Sequence, residues 1–552
     1  MRAATTVPRL TSGVWAGRRS EGSRASAGSR PSITASRTAA DSDPSGPRLS
    51  RRLPSVASNL VSIGPVFPEW TRTRRPGHAY AAGMHRTLAD DLQRLPDLLQ
   101  LARDFAAREV GGLAERPVAR PDAAPARAPL PEAGVGADGA LTRFADRWSV
   151  GFSASAGPRY LGFVTGGATP AALTGDWLTA AYDQNVSGGG DSSATALERE
   201  TLSWLRELFG LGEDHTGAFV SGATASNTVG LAIAREWLGE RLGVSVSREG
   251  VGALGPVEVL SGSPHSSIGK ALSVLGVGRD RLRTVPVLPG NREAVDVDRL
   301  ADALDALGGR PAVVVANAGT VNTVDFDDLR AIAALRERYD FWLHVDAAFG
   351  GFAALSPSYA SLVDGLDAAD SVCVDLHKWL NVPYDAAVQF TRRQDLQVRV
   401  FHNASPYLGP PTDDPDFLHL TPENSRRLRA LPAWFSLTAY GREGHREIVE
   451  RNVALAGRLG EGIAQIPQLR LLAPVRLNVV CFTPAGDPSE ERVGALAKAV
   501  AASGEAFVTP TSYGGTPALR AAFSNWRTTA GDVDRVLAAL RRHGADLGPR
   551  GA

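Results

Sequence analysis

Three lysines, Lys270, Lys378 and Lys498, stand among the 59 basic residues of this chain, and every other basic side chain is arginine. A guanidinium stays protonated and cannot form an imine, so chemistry that needs a free amine has three candidates. Lys378 lies in SVCVDLHKWLNVPYDAA, just past an apolar run. Apolar neighbours penalise the ammonium form, which predicts a lowered pKa and a nucleophilic amine. The plainer alternative is a surface lysine resting its stem on apolar residues; a chain that uses arginine almost everywhere else weakens it. Asp346 precedes Lys378 by 32 residues and follows FWLHV. A carboxylate at the end of so apolar a strand calls for a cation opposite it. An isolated strand-end aspartate more often caps a helix or closes a core ion pair. The small residues of HVDAAFGG, Ala348 among them, instead leave room for a flat ring against the backbone.

A protonated pyridine nitrogen is such a cation, and pyridoxal 5′-phosphate (PLP) works as an electron sink when its ring nitrogen keeps the proton. Two further segments fit that cofactor. FVSGATASNTVGLAIAR sets a glycine and small hydroxyl residues before a helix. Its backbone N–H groups, the Thr224 and Ser226 hydroxyls and the helix dipole would bind a phosphate dianion, although alone such a motif is as often a plain helix cap. His265, in LSGSPHSSIGKAL, can stack on a ring. The segment FHNASPYLGPPTDDPDF, which carries Tyr407, is Gly/Pro-rich and polar, as an active-site loop would be.

These residues need elements to hold them. From about residue 160 to 400 short apolar runs alternate with helical stretches, and strands are predicted at Val257–Leu260, Ala312–Ala316, Phe341–Val345, Ser371–Val374 and Ala386–Phe390. Helices are predicted at Ala225–Leu238 and Asp327–Tyr339. This is an α/β pattern with a mostly parallel, helix-covered sheet. His265, Asn317, Asp346, His377 and Lys378 fall just past the carboxyl ends of strands, the edge where such sheets bind ligands. Past residue 426 a long helix, strands near Leu477–Phe482 and Ala518–Phe523, and a last helix begun at Thr528-Thr529 predict a smaller α+β lobe.

Upstream, a helix is expected over MHRTLADDLQRLPDLLQLARDFAAREV, then an extended Pro/Ala-rich connector over 113–140. Residues 1–83, with thirteen arginines against four acids, are expected to be a disordered leader. Met84 makes a start site placed too early the favoured explanation, and an organelle transit peptide the alternative. The expected division is therefore 1–83 leader, 84–150 helical segment and connector, 151–425 PLP-binding large domain, and 426–552 small domain. Acids and bases balance at 59 each, so no global field draws nucleic acid or an anionic membrane. No apolar stretch approaches the roughly 20 residues that span a bilayer, which predicts a soluble protein. Cys373 and Cys481, the two cysteines, both lie in apolar runs. That fits a reducing, cytoplasmic compartment and no cysteine-rich metal site.

Together these residues resemble the group II PLP-dependent decarboxylases, the family of aromatic-L-amino-acid, glutamate and diaminobutyrate decarboxylases. The order His265, Asp346, His377-Lys378-Trp379 matches, as do SSATALERE, GTVNTVDFDDL and SRRLRALPAWFSLTAYG, and the likeness covers roughly residues 84 to 545. It implies PLP fold type I (aspartate-aminotransferase-like) and a homodimer with active sites at the subunit interface. It implies that Lys378 holds PLP as a Schiff base, Asp346 pairs with the ring nitrogen and His265 stacks on the ring. Ala223, Thr224 and Asp375 would lie near the phosphate, with Ala348 and His377 completing the cofactor set. A carboxylate beside phosphate must be protonated or turned away, and some relatives carry asparagine where this chain has Asp375.

By resemblance, Tyr407 aligns with the loop tyrosine that family decarboxylases use to return a proton to the substrate carbon, with His265 assisting. Relatives with phenylalanine there make aldehydes oxidatively, so Tyr407 favours an amine product. The substrate is an L-amino acid whose side chain stays open: glutamate, aspartate, diaminobutyrate or an aromatic one. The stretch AYDQNVSGGGDSSATALE is glycine-rich where aromatic decarboxylases carry large rings, and only Phe163 is retained from the preceding segment. Gln184 and Asn185 are candidates for a polar side chain. An aminotransferase or lyase on the same fold, with Arg520 binding a substrate carboxylate, is the rival enzyme; a non-catalytic protein on a decayed PLP fold is the rival outside catalysis.

Overall fold

The computed structural model describes residues 83–120, 124–403 and 412–546. Its centre is a seven-stranded sheet made of β1 (Thr216–Val220), β2 (Val259–Ser261), β3 (Leu282–Thr284), β4 (Ala312–Asn317), β5 (Phe341–Asp346), β6 (Ser371–Val374) and β7 (Ala387–Thr391). The spatial order is β1-β7-β6-β5-β4-β2-β3. β7 runs antiparallel to both neighbours and the remaining pairs are parallel. Every residue of β4 and β5 is buried, which is why they read as unbroken apolar runs: helices cover both faces. β1 and β3 carry no comparable run and were not anticipated; Leu282–Thr284 is half exposed at the sheet edge.

Local chemistry explains where helices begin and end. The single helix expected from Met84 is two, Arg86–Gln93 and Leu95–Gly111, because Pro96 offers no N–H to continue the first. The expected connector is shorter than 113–140, since a helix starts at Gly136 and runs to Arg147. The expected Asp327–Tyr339 helix is Leu329–Ala334 followed by a 3-10 turn, with Asp328 as its N-cap accepting the Ala331 N–H. The long helix Ala430–Ala464 is broken at Gly441, whose φ of 59° suits glycine and few other residues.

A second sheet, antiparallel, has the order β10-β11-β9-β8, from β8 (Leu469–Leu471), β9 (Val479–Pro484), β10 (Thr509–Tyr513) and β11 (Thr516–Ala522). Phe482, Leu519, Phe523 and Leu540 form its core with Ile463 of the long helix and with Leu161, which reaches this lobe from far upstream. The last helix, Ala530–Ala545, opens on a reciprocal cap between Thr529 and Asp532.

A buried ion pair locks the edge strand. Arg426 donates to Glu198 Oε1 and to the carbonyl of Phe219, each at 2.8 Å, and neither charged side chain is exposed. Glu198→Ala would leave the guanidinium buried and unpaired, a change worth about 3–5 kcal/mol. We expect a clearly lower urea midpoint for this variant; a wild-type midpoint would refute the clamp.

Candidate active site

Five chain segments end at one edge of the large sheet and wall a cavity of about 440 Å³. Its lining includes Phe163, Ala223, Thr224, His265, Asp346, Ala348, Asp375, His377, Lys378 and Arg520. The parallel strands β1, β2, β4, β5 and β6 all point their carboxyl ends here, so residues more than 200 positions apart in sequence meet. The turn Leu376–Trp379 follows β6 directly, and both Leu376 and His377 donate their backbone N–H to Ala386 before β7. Gly166 presses on this turn: a Cβ there would lie 1.9 Å from the Lys378 carbonyl oxygen. Asn381, at φ 57°, donates to the carbonyls of Gly166 and Ser524, each at 2.7 Å, and so ties the turn to the smaller lobe.

Lys378 Nζ stands 3.5 Å from Asp375 Oδ2 and 5.4 Å from the centre of the Phe349 ring. Asp375 Oδ1 is 3.1 Å from His377 Nδ1, but neither atom has an aligned hydrogen-bond partner. The His377 ring lies 4.0 Å from that of Tyr384. Asp375 thus faces two nitrogen groups, and its carboxylate is buried.

Asp346 is 7% exposed, accepts from Asn227 Nδ2 at 2.9 Å and from the Ala348 N–H at 3.2 Å, and has no cation within ion-pair distance among the described residues. A buried carboxylate without a counter-ion is costly unless something positive joins it. His265 caps helix Ser266–Val274 with Nδ1 accepting the Ser267 N–H, and its ring is open to the cavity. Desolvation by the surrounding walls still lowers its pKa, which keeps the ring neutral at pH 7.

The helix Ala223–Leu242 begins in the cavity wall with no side chain capping it, leaving its first N–H groups for an anion. Thr224 is exposed to the cavity. Ser226 is not available: it is buried and its hydroxyl donates to the Val388 carbonyl at 2.9 Å. An orphaned carboxylate, an amine and a bare helix start around one cavity fit the ring nitrogen, aldehyde and phosphate of PLP.

Gln184 and Asn185 do not reach this cavity. Gln184 donates to the Tyr182 carbonyl of its own loop, and Asn185 Oδ1 accepts the Arg426 N–H and so ties that loop to a distant segment. Tyr407 lies outside the described residues. Arg520, from β11, is 7% exposed and donates to the Phe163 carbonyl, with no acid paired to it among the described residues. Burial lowers its pKa to about 10, so it remains charged at neutral pH. Tyr384, Thr320 and Ser263 line the cavity as well and were not anticipated; nothing in their local sequence marks them.

The sequence profile described as the pyridoxal-dependent decarboxylase conserved domain matches residues 148–484, and the chain belongs to that family. It is 30% identical over 387 residues to the L-2,4-diaminobutyrate decarboxylase of Acinetobacter baumannii, covering 66% of this chain and 75% of that protein. It is 26% identical over 399 residues to the aromatic-L-amino-acid decarboxylase of Bacillus atrophaeus, covering 70% and 80%. The crystal structure of Oryza sativa TDC with PLP and tryptamine superposes with a TM-score of 0.76 at 24% identity, over 83% of this chain and 98% of that one. The fold is therefore the α/β fold of PLP fold type I, the cofactor is PLP, and the protein is a PLP-dependent amino-acid carboxy-lyase. No helix among the described residues is long and apolar enough to cross a membrane.

Proposed function

We propose that this protein converts one L-amino acid to its amine and carbon dioxide, with PLP held covalently on Lys378 Nζ. The observation that carries the reading is the pairing, in one cavity, of the single lysine of the sheet edge with a buried carboxylate that lacks a cation. Asp346 would face the ring nitrogen and His265 the ring, with Ala348 behind it. The N–H groups at Ala223 and Thr224 would hold the phosphate, and Asp375 and His377 would flank Lys378. When bound, PLP supplies a conjugated acceptor for the electrons left by the departing carboxylate.

The chain's own residues do the rest. Arg520, the cavity's unpaired cation, would bind a substrate carboxylate, and so hold the breaking bond upright to the ring plane. Tyr407, with His265, would deliver the proton to the substrate carbon. Phe163 stands at the mouth, where it would meet the substrate side chain. The two free, buried cysteines suit a cytoplasmic protein.

A homodimer is proposed because helix Leu95–Gly111 buries none of its residues within one chain and exposes Leu95, Leu99 and Leu101. Light scattering at twice the chain mass is expected; a monomer at micromolar concentration would refute it.

The deciding experiment is carbon dioxide release with product identification from PLP-loaded protein given a panel of L-amino acids, among them diaminobutyrate, glutamate, aspartate and aromatic ones. Stoichiometric amine from one substrate is expected, while keto acid without carbon dioxide would move the protein to the aminotransferases. In Tyr407→Phe, amine should give way to aldehyde and ammonia, with dioxygen consumed. An unchanged product ratio in that variant would remove Tyr407 from the proton transfer.

A further inference from the structure

Behind the cavity a chain of polar side chains runs from Trp342 to His265. Trp342 Nε1 donates to Ser371 Oγ at 2.9 Å, Ser371 Oγ lies 2.8 Å from His344 Nδ1, and His344 Nε2 lies 2.9 Å from Asn227 Oδ1. Asn227 Nδ2 uses both of its hydrogens, donating to Asp346 Oδ2 at 2.9 Å and to Ser267 Oγ at 3.1 Å. Ser267 Oγ is 2.8 Å from His265 Nδ1, which also accepts the backbone N–H of Ser267. Trp342, Ser371, His344, Asn227 and Ser267 are all buried, so water cannot stand in for any of these bonds.

Counting donors places every proton in this chain. An ionised Asp346 only accepts, so Asn227 must turn its NH2 group to it and its carbonyl oxygen to His344. His344 Nε2 must then carry a hydrogen. Burial holds the His344 pKa down at about 4, so the neutral ring has no second hydrogen and Nδ1 accepts from the Ser371 hydroxyl. That hydroxyl in turn accepts from Trp342, which can only donate. At the other end a backbone N–H also can only donate, so His265 Nδ1 is an acceptor and the proton of the neutral ring sits on Nε2. The His344 ring packs close against Gly230, where an added Cβ would come within 2.7 Å of His344 Cε1, so position 230 has no room for a side chain.

We propose that His344 is a positioning residue for the cofactor site: by fixing the Asn227 amide it keeps an NH2 donor on Asp346, the partner of the ring nitrogen, and on the Ser267 hydroxyl that hydrogen-bonds His265. Without the His344 donor, the Asn227 amide is free to flip and set its oxygen against the Asp346 carboxylate. Asp346 and the Ser267 hydroxyl then lose the Asn227 donor together, while the Ser267 N–H still holds His265 Nδ1 as an acceptor. The inference rests on the PLP reading given above.

The test compares His344→Leu, which removes the donor, with His344→Gln, whose Nε2 hydrogens can replace it, and uses Ser371→Ala as a milder break that leaves the packing nearly unchanged. PLP affinity is measured by titrating apoprotein, and the ring-nitrogen state from the 15N shift of PLP labelled at that atom. The Leu variant should bind PLP about tenfold more weakly, the size of one hydrogen bond to a charged group, and its ring nitrogen should move toward the unprotonated shift. The Gln variant should restore both, and Ser371→Ala should move both in the same direction by about threefold in affinity, which keeps the test intact if His344→Leu does not fold. In wild-type apoprotein with 15N-labelled histidine, the resonance lost in His265→Gln should report a proton on Nε2. Native affinity and an unmoved nitrogen shift in the His344→Leu and Ser371→Ala variants, or a His265 proton on Nδ1, would overturn the proposal. Failure of wild-type protein to bind PLP would refute the cofactor assignment instead, and the apoprotein histidine spectrum would still judge the proton order.

Discussion

Lys378→Ala is expected to lose the visible absorption of the PLP-loaded protein and its decarboxylation together. The other two lysines, Lys270 and Lys498, are exposed on helices Ser266–Val274 and Glu490–Ala502 and do not line the cavity, so neither can substitute. Arginine cannot take over, since its guanidinium keeps its proton. The rate should fall by at least about 10²–10⁴-fold, the range that a single positioned proton-transfer group supplies, and the covalent anchor goes with it. Purified Lys378→Ala protein that keeps the wild-type visible spectrum would end the assignment. Because the Asp375 carboxylate lies 3.5 Å from Lys378 Nζ, the variant also leaves a buried acid without its nearest amine. Its thermal midpoint should be recorded beside the spectrum so that misfolding is not mistaken for lost chemistry.

The second large effect belongs to Asp346. Asp346→Ala should weaken PLP binding by about two to four orders of magnitude, since breaking a buried charge pair costs roughly 3–5 kcal/mol. The bound cofactor that remains should turn over slowly, because a ring nitrogen without an acid beside it keeps its proton poorly and accepts electrons less well. Equilibrium titration of the apoprotein measures the first effect, and the rate at saturating PLP measures the second. If both stay at wild-type values, the buried carboxylate has some other partner and the ring nitrogen does not face Asp346. Asp346→Asn separates charge from shape: it retains the volume, and it should resemble the alanine variant if the charge is what matters.

How much of the site is legible in the sequence depends on whether a signal is chemical or geometric. Lys378 was legible because a scarce residue type stood beside an apolar run. Asp346 was legible because a charge ended a run that could only be an interior strand. Strand periodicity also places His344, two residues before Asp346, on the same face of β5. Helix periodicity likewise separates Thr224 from Ser226. Two residues apart on a helix, they are about 200° apart around its axis, so at most one can face the cavity. Gln184 and Asn185 looked like substrate residues for their polarity alone, and backbone groups of their own loop and of Arg426 claimed them.

The sequence by itself determined the chemistry on offer: one amine in an apolar setting, one carboxylate in need of a cation, a helix start suited to an anion, and the alternation of elements that makes a mostly parallel sheet. These follow from residue type and short-range periodicity, which are properties of neighbours in the chain. Only the tertiary structure decided which groups meet. It brought Asn227 between His344 and Asp346, set Arg520 of the smaller lobe into the wall of the larger one, and turned Ser226 away. Those outcomes come from the order β1-β7-β6-β5-β4-β2-β3 and from packing across hundreds of residues. No local pattern carries that information, because hydrogen-bond partners so far apart are chosen by the fold as a whole.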